Sequence, residues 1–438
     1  MKGLQSRRRT GPANLHRAAL RVRLTAALLA WPGAALAQTQ PQAQAAPEAP
    51  AAEPGAELKV FLLTVGQGDH IWEKFGHNAI WIRDESRGVD VAYNYGLFSF
   101  EQPGFVRKFL KGRMEYSMGG FDAVAMANEY ADSNRTLWLQ ELNLRPGQRV
   151  ELVRFLEWNA RPENRAYRYD YFRDNCSTRV RDALNRVMGG ELQEQMEAVV
   201  TEATYRTHTQ RLTADGIAVS TGLLLAMGHA VDRPLTAWEE GFIPMKLMEN
   251  ARNVTVPGPA GPEPLVLSDQ VVFTADRLPE RDAAPDRRIP YTAAGLLLGA
   301  LMVGLARLGH TRRVARAGSY TLVILWSLAA GVFGTIIAML WAFTDHTDTY
   351  RNENLLQAGP LSLLLAGFLV AAAFGKGRRA TILAIVVAFL ALAGFALQVV
   401  PGLDQPNGEI IGLAAPAHLG LALAVAMLAR RDPRSDAS

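Results

Sequence analysis

Apolar positions follow different periods along this chain, and the periods divide it into parts. Residues 60–65, VFLLTV, are a short continuous apolar run with a strand's composition, and 66–69 form a loop. The second half of 71–82 alternates apolar and polar positions, 83–88 is a polar turn, and 89–95 alternates again, which predicts a β-hairpin. Pairing Ile82 with Val89 sets His77 opposite Asn94, whereas a one-residue slip puts Tyr93 or Tyr95 there. Residues 98–116 are aromatic and basic. The stretches 123–142 and 146–160 read as helices, the second carrying Val150, Val153, Phe155, Leu156 and Trp158. Tyr167, Tyr169 and Tyr171 then alternate with Arg168, Asp170 and Phe172, the two-residue period of a strand. Asp174 or Asn175 offers an N-cap to a helix with the apolar stripe Val180, Ala183, Leu184, Val187 and Met188, and Gly189-Gly190 stops it. Beyond it the helical pattern weakens, PGPAGP at 257–262 interrupts it, 265–273 reads as a last strand, and 277–290 is a charged linker.

From residue 291 the periodicity gives way to apolar segments near 292–308, 319–343, 355–374, 381–400 and 410–428, most of them long enough to cross a bilayer. Arg312, Arg313 and Arg316, then Lys376, Arg378 and Arg379, then Arg430 and Arg431 lie in alternate loops. The other loops, 344–359 and 401–409, hold mainly Asp, Glu, Asn and Gln. The positive-inside rule makes the basic loops cytoplasmic and sets everything before residue 291 outside. The N-terminus agrees: Arg7, Arg8, Arg9, Arg17, Arg21 and Arg23 precede an apolar run at 24–36, and Ala35-Leu36-Ala37 is a cleavage site, so 1–37 reads as a signal peptide. Residues 38–57, rich in Ala, Pro, Gln and Glu, read as a disordered spacer. The expected organisation is a periplasmic α+β domain at 58–276, a linker at 277–290, five transmembrane helices at 291–430 and a cytoplasmic tail at 431–438. That places the protein in a bacterial inner (cytoplasmic) membrane.

Composition narrows the function. The net charge of +4 is small for 438 residues, and no basic run is interleaved with aromatics, so nucleic acid is not the expected partner. A single cysteine excludes an internal disulfide and a thiolate zinc cluster, and no metal or cofactor is expected. The membrane segments show no charge pair of the kind that lines a transport path; His418 beside Pro416 is the one ionisable residue deep in a segment.

That one cysteine, Cys176, lies four residues before Val180, on the inward face of the helix's first turn. There the positive end of the helix dipole favours thiolate, which makes Cys176 a candidate nucleophile; the alternative is a small buried hydrophobe. A thiol nucleophile needs a base. Of the eight histidines, His77, at a strand start between Gly76 and Asn78, has the most suggestive setting, with Asn94 a candidate to orient its ring. Two further groups are candidate lipid contacts. In the outer loop, His346, Arg351 and Asn354 lie on the same membrane side as Cys176, and Lys108, Lys111 and Arg113 could meet anionic head groups; the plain alternative for both is a solvated polar surface.

The order His, polar residue, Cys resembles the circularly permuted papain-like thiol enzymes, which include NlpC-type hydrolases and lecithin:retinol acyltransferases (LRAT). WEKFGHNA at 72–79, YNYGLF at 93–98, NARPEN at 159–164 and YDYFRDNCST at 169–178 resemble more closely the lipoprotein intramolecular transacylase (Lnb-like) family, a periplasmic domain followed by five membrane helices. The resemblance runs from about residue 58 to 428. It implies a permuted papain-like (NlpC/LRAT-like) domain with Cys176 as nucleophile, His77 as base and Asn94 as the third group. It further implies acyl transfer from a lipid or lipoprotein ester through a Cys176 thioester. A thiol hydrolase on the same scaffold (lipid esterase, or cell-wall amidase or peptidase) and a non-catalytic membrane scaffold remain the alternatives.

Overall fold

The structure, a computed structural model, describes residues 53–374 and 377–430. The signal peptide, most of the spacer, Lys376 and the tail at 431–438 lie outside the described residues.

The extramembrane part is α+β. Nine strands occur in chain order: β1 (Leu58–Val65), β2 (His77–Asp84), β3 (Val89–Leu97), β4 (Glu115–Asp122), β5 (Leu137–Leu142), β6 (Ala166–Arg168), β7 (Thr255–Gly258), β8 (Gly261–Pro264) and β9 (Val266–Phe273). Seven of them build one antiparallel sheet in the order β6-β4-β3-β2-β1-β5-β9, and β7 and β8 form a separate hairpin. Between the strands come α1 (Phe105–Leu110), α2 (Ala123–Asp132), α3 (Pro146–Asn159), α4 (Cys176–Val187), α5 (Glu191–Glu197), α6 (Tyr205–Leu212), α7 (Ile217–Ala226), α8 (Ala237–Glu240) and α9 (Pro244–Ala251).

Alternation along the central strands produces two cores. Val60, Leu62, Ile80, Ile82, Tyr93 and Tyr95 face α3, α4 and α9, where Leu152, Leu156, Val180, Ala183 and Leu184 meet them. Phe61, Leu63, Val65, Ala79, Trp81 and Ala92 face the other way and pack under α2 through Ala123, Met126 and Ala127. The central strands are therefore buried on both faces, and α4 and α2 lie on opposite sides of the sheet.

Three expectations are corrected. The stretch 123–142 is not one helix: α2 stops at Asp132, Asn134 turns with φ of +52°, and 137–142 is β5, hydrogen-bonded between β1 and β9. Leu, Gln and Glu are good helix formers, but two strands needing a partner override local propensity. The strand expected at 167–172 is only three residues long. After Arg168 the chain folds into a turn in which Asp170 and Asp174 exchange backbone hydrogen bonds. The β2–β3 register is Ile82 with Val91 and Ala79 with Asn94, two residues from the pairing expected.

Five helices follow: α10 (Arg288–Leu308), α11 (Arg313–Phe343), α12 (Leu361–Ala373), α13 (Arg378–Leu397) and α14 (Gly408–Ala429). All belong to stretches long and apolar enough to cross a membrane. The third stretch is interrupted: a short 3-10 turn at Glu353–Leu356 precedes α12, and Gly359-Pro360 separates them. α10 and α14 approach through glycine, since a Cβ on Gly420 would stand 2.3 Å from the Gly299 Cα.

Candidate active site

The site is built where α4 begins. Asn175 caps the helix: its Oδ1 accepts from the N–H groups of Ser177 (2.9 Å) and Thr178 (3.0 Å), and Thr178 Oγ1 accepts from Asn175 N–H (2.8 Å). The cap's own Nδ2 donates to the carbonyls of Tyr171 and Phe242. Ser177 is buried, its Oγ lying 2.7 Å from Asn78 Oδ1 and 2.6 Å from the Gly241 carbonyl; Asn78 Nδ2 in turn donates to Thr64 Oγ1 and the Leu63 carbonyl. Cys176 sits between two residues clamped into the core. Its position relative to β1 and β2 follows from those clamps.

The β2–β3 ladder ends at the Ala79–Asn94 pair. Immediately beyond it, the backbone N–H of Asn78 points to the Cys176 sulfur, joined by the N–H groups of Cys176 and Ser177. β3 opens there: its pairing with β4 is irregular between Asn94 and Leu97, and Gly96 takes φ of +89° with its Cα against Cys176. The half-buried thiol lies at this opening, between the α4 face and the α2 face.

His77 and Asn94 lie at the same opening. His77 Nε2 and Asn94 Oδ1 are 2.8 Å apart. The direction of that bond follows from the other end of the amide: Asn94 Nδ2 donates to the Ala92 carbonyl (3.2 Å) and Met126 Sδ (3.0 Å), so Oδ1 must accept. The neutral His77 ring therefore carries its proton on Nε2 and its lone pair on Nδ1. Among the described residues it makes no other hydrogen bond. Tyr130 of α2 lies against it, ring centroids 5.9 Å apart, and the Arg135 guanidinium stands 5.1 Å over Tyr130.

The electrostatics differ from the sequence expectation. The helix terminus does lower the thiol through its N–H groups and Arg135 adds to this, but burial is the larger effect and the Cys176 pKa is pushed up. Burial also pushes His77 down to about 4; the Asn94 bond opposes this and Arg135 reinforces it. At neutral pH the pair is a protonated thiol and a neutral imidazole. For a thiol and an imidazole in these states, attack by sulfur requires proton transfer to nitrogen, the chemistry of general base catalysis.

The remaining sequence candidates divide. His346 lies on the extramembrane domain, its Nε2 donating to the Phe109 carbonyl (2.9 Å) and its ring stacked on Tyr171. Arg113 and Arg168 both pair with Asp345, at 2.7 and 3.0 Å, while Lys108 pairs with Glu115. Asn354 is fully buried; its Nδ2 donates to the carbonyls of Leu224 and Leu225, and its Oδ1 accepts from Asn407. It pins the outer loop to α7 and has no group left for a lipid. Arg351 is exposed with φ of +54°.

Sequence reasoning missed Asn78, Gly96, Tyr130 and Arg135. Gly96 carried a signal, because a glycine inside a strand pattern marks a bulge or a close backbone approach. Tyr130 and Arg135 carried none, since the helix assigned to 123–142 hid the turn between them.

No curated protein and no solved structure shows a significant match to this chain. Residues 50–211 match the family model described as the Lnb N-terminal periplasmic domain, and 289–402 match the Lnb transmembrane domain. The two lie in the order of the α+β domain and the five apolar helices, so this multi-pass membrane protein with a periplasmic domain belongs to the Lnb-like family.

Proposed function

We propose that the protein is a thiol acyltransferase of the inner membrane, acting in lipoprotein processing, on a papain-like arrangement of Cys176, His77 and Asn94. His77 Nδ1 takes the Cys176 proton as the sulfur attacks an ester carbonyl of a lipid or lipoprotein. The oxyanion that forms needs donors. Asn175 Oδ1 already holds the Ser177 N–H, which leaves the N–H groups of Asn78 and Cys176 best placed. When the tetrahedral intermediate collapses, the carbon–oxygen bond breaks, His77 returns the proton to the leaving alcohol, and the acyl group remains on sulfur. An amine then attacks the thioester, His77 takes its proton, and the thiol is released. By resemblance to the family, the acceptor is the lipoprotein's N-terminal amine.

The observation that carries this reading is the His77 tautomer fixed by Asn94, which leaves the lone pair on Nδ1, one residue along β2 from the Asn78 N–H that meets the Cys176 sulfur. The test is mass spectrometry of full-length protein in vesicles containing diacyl phospholipid and a lipoprotein. A hydroxylamine-labile acyl adduct on Cys176, slow to form in His77→Ala and followed by an acylated amine product, is expected. Fatty acid released in place of that product would make the protein a hydrolase. Cys176→Ala protein with unchanged turnover would end the thiol mechanism.

A further inference from the structure

The surface beside the site carries large apolar side chains that the core does not use. On and before α1, Phe100, Val106, Phe109 and Leu110 are 62, 67, 45 and 58% exposed, and Trp72 nearby is 54% exposed. Phe100, Val106 and Leu110, with Phe105, line an open groove of about 600 Å³ that also includes Arg107 and Lys111. Among the described residues neither of these two cations has an ion-pair partner, in contrast to Lys108 and Arg113.

The groove's position relative to the membrane follows from the outer loop. The apolar run of α11 ends at Phe343, and two residues on the Asp345 N–H donates to the Lys111 carbonyl at 2.9 Å. His346 holds the Phe109 carbonyl. The C-terminal end of α1 is thus fixed to the point where α11 leaves the bilayer, with its aromatic and aliphatic side chains uncovered and its cations beside them. Amphipathic helices with this composition bury the apolar side at the head-group boundary and keep the cations among anionic lipid phosphates.

From α1 a row of aromatic rings leads inward. Phe109 and Phe105 have centroids 6.1 Å apart, Phe105 and Phe100 5.1 Å, Phe100 and Phe98 5.0 Å, and Phe98 and Tyr116 5.2 Å. Tyr116 stacks on Tyr169 at 4.1 Å. Both tyrosines adjoin Cys176 and pack with it against the same core.

We infer that α1 docks on the anionic periplasmic membrane surface and that the aromatic row behind it guides a phospholipid acyl chain from that leaflet to Cys176. The acyl route rests on the thioester chemistry proposed above; the docking does not.

Two measurements on the full chain separate the claims. In a Cys176→Ala background, single cysteines from Val106→Cys or Leu110→Cys are labelled with an environment-sensitive nitrobenzoxadiazole dye, and the protein is reconstituted in phosphatidylglycerol-containing vesicles doped with shallow nitroxide lipid. Strong quenching and a blue shift are expected at both positions. Neither is expected with Val271→Cys, an exposed site on β9 at the far edge of the sheet. Positions 106 and 110 behaving like 271 would overturn the docking. In the second measurement Cys176 is retained and Val106→Asp/Leu110→Asp is compared with wild type. Acylation of Cys176 by vesicle phospholipid is expected to fall about tenfold, while acylation by soluble p-nitrophenyl butyrate is unchanged. Equal loss with both donors, or no loss with either, overturns the route. If neither donor acylates wild-type Cys176, the chemistry proposed above fails and the route with it, while the quenching result still decides the docking.

Discussion

Cys176 packs against the bare Cα of Gly96: a Cβ there would lie 3.2 Å from the cysteine Cβ, on a residue whose φ is +89°. Gly96→Ala meets two penalties at once. An L side chain in the left-handed region costs about 1–2 kcal/mol, and the new methyl crowds the thiol. The variant should unfold at a lower temperature than wild type and react more slowly with iodoacetamide at Cys176. Wild-type values for both would mean that β3 relaxes freely at its opening and that the close approach has no consequence.

Asn94 acts on His77 through one oxygen, so changing that oxygen's charge is more informative than removing it. In Asn94→Asp a carboxylate accepts from Nε2–H and favours the protonated ring, raising the His77 pKa from about 4. The acid limb of the kcat/KM profile should move to higher pH, with activity above the limb largely retained. Asn94→Ala leaves the ring unoriented and should lower kcat about 10- to 100-fold, part of what a positioned base contributes. An Asn94→Asp profile superimposable on wild type would remove Asn94 from the mechanism.

The depressed His77 pKa also fixes the sign of a stability change. The folded ring titrates near 4 and the unfolded ring near 6.5, so below 6.5 the unfolded state binds the extra proton. Stability contributed by His77 is complete above pH 6.5 and is lost as the pH falls towards 4. Thermal melts of wild type and His77→Gln at pH 7.5 and 5.0 check this. The wild type should lose more on acidification, and an equal loss in both would show that His77 is not held neutral by the fold.

Several of these features were legible in the sequence, for reasons tied to particular residues. The α4 cap was legible because Asn175 and Thr178 are local partners, three positions apart, whose chemistry needs no tertiary context. The five apolar stretches were legible because lipid demands length and composition alone. The His77–Asn94 pairing was found through a register wrong by two residues. A slip of two keeps side chains on the same face, so the rings and amides still met, diagonally instead of directly opposite. β5 was not legible, because its strand state comes from the neighbours β1 and β9, which are distant in sequence: Leu139 pairs with Leu63, 76 residues before it, and Gln140 with Asp269, 129 residues after it. The thiol's raised pKa was hidden for a similar reason: the helix terminus is local, while the burial that outweighs it comes from β2, β3 and the aromatic rings around the opening.

Asn354 separates a structural role from a substrate-binding one. Its amide joins the carbonyls at the end of α7 to Asn407 at the start of α14, so one side chain ties the extramembrane domain to the helices. Asn354→Ala leaves the buried Asn407 amide without its partner and takes one donor from the Leu224 and Leu225 carbonyls, which keep Arg206 and Asn352, and this should cost about 2–3 kcal/mol. The melting temperature in detergent should drop clearly, and the protein that remains folded should show an unchanged KM for lipid. The opposite result, a raised KM with an unaltered melt, would mean that the Asn354 amide leaves these partners for a head group during turnover and would restore the lipid-contact role expected from the outer loop's composition.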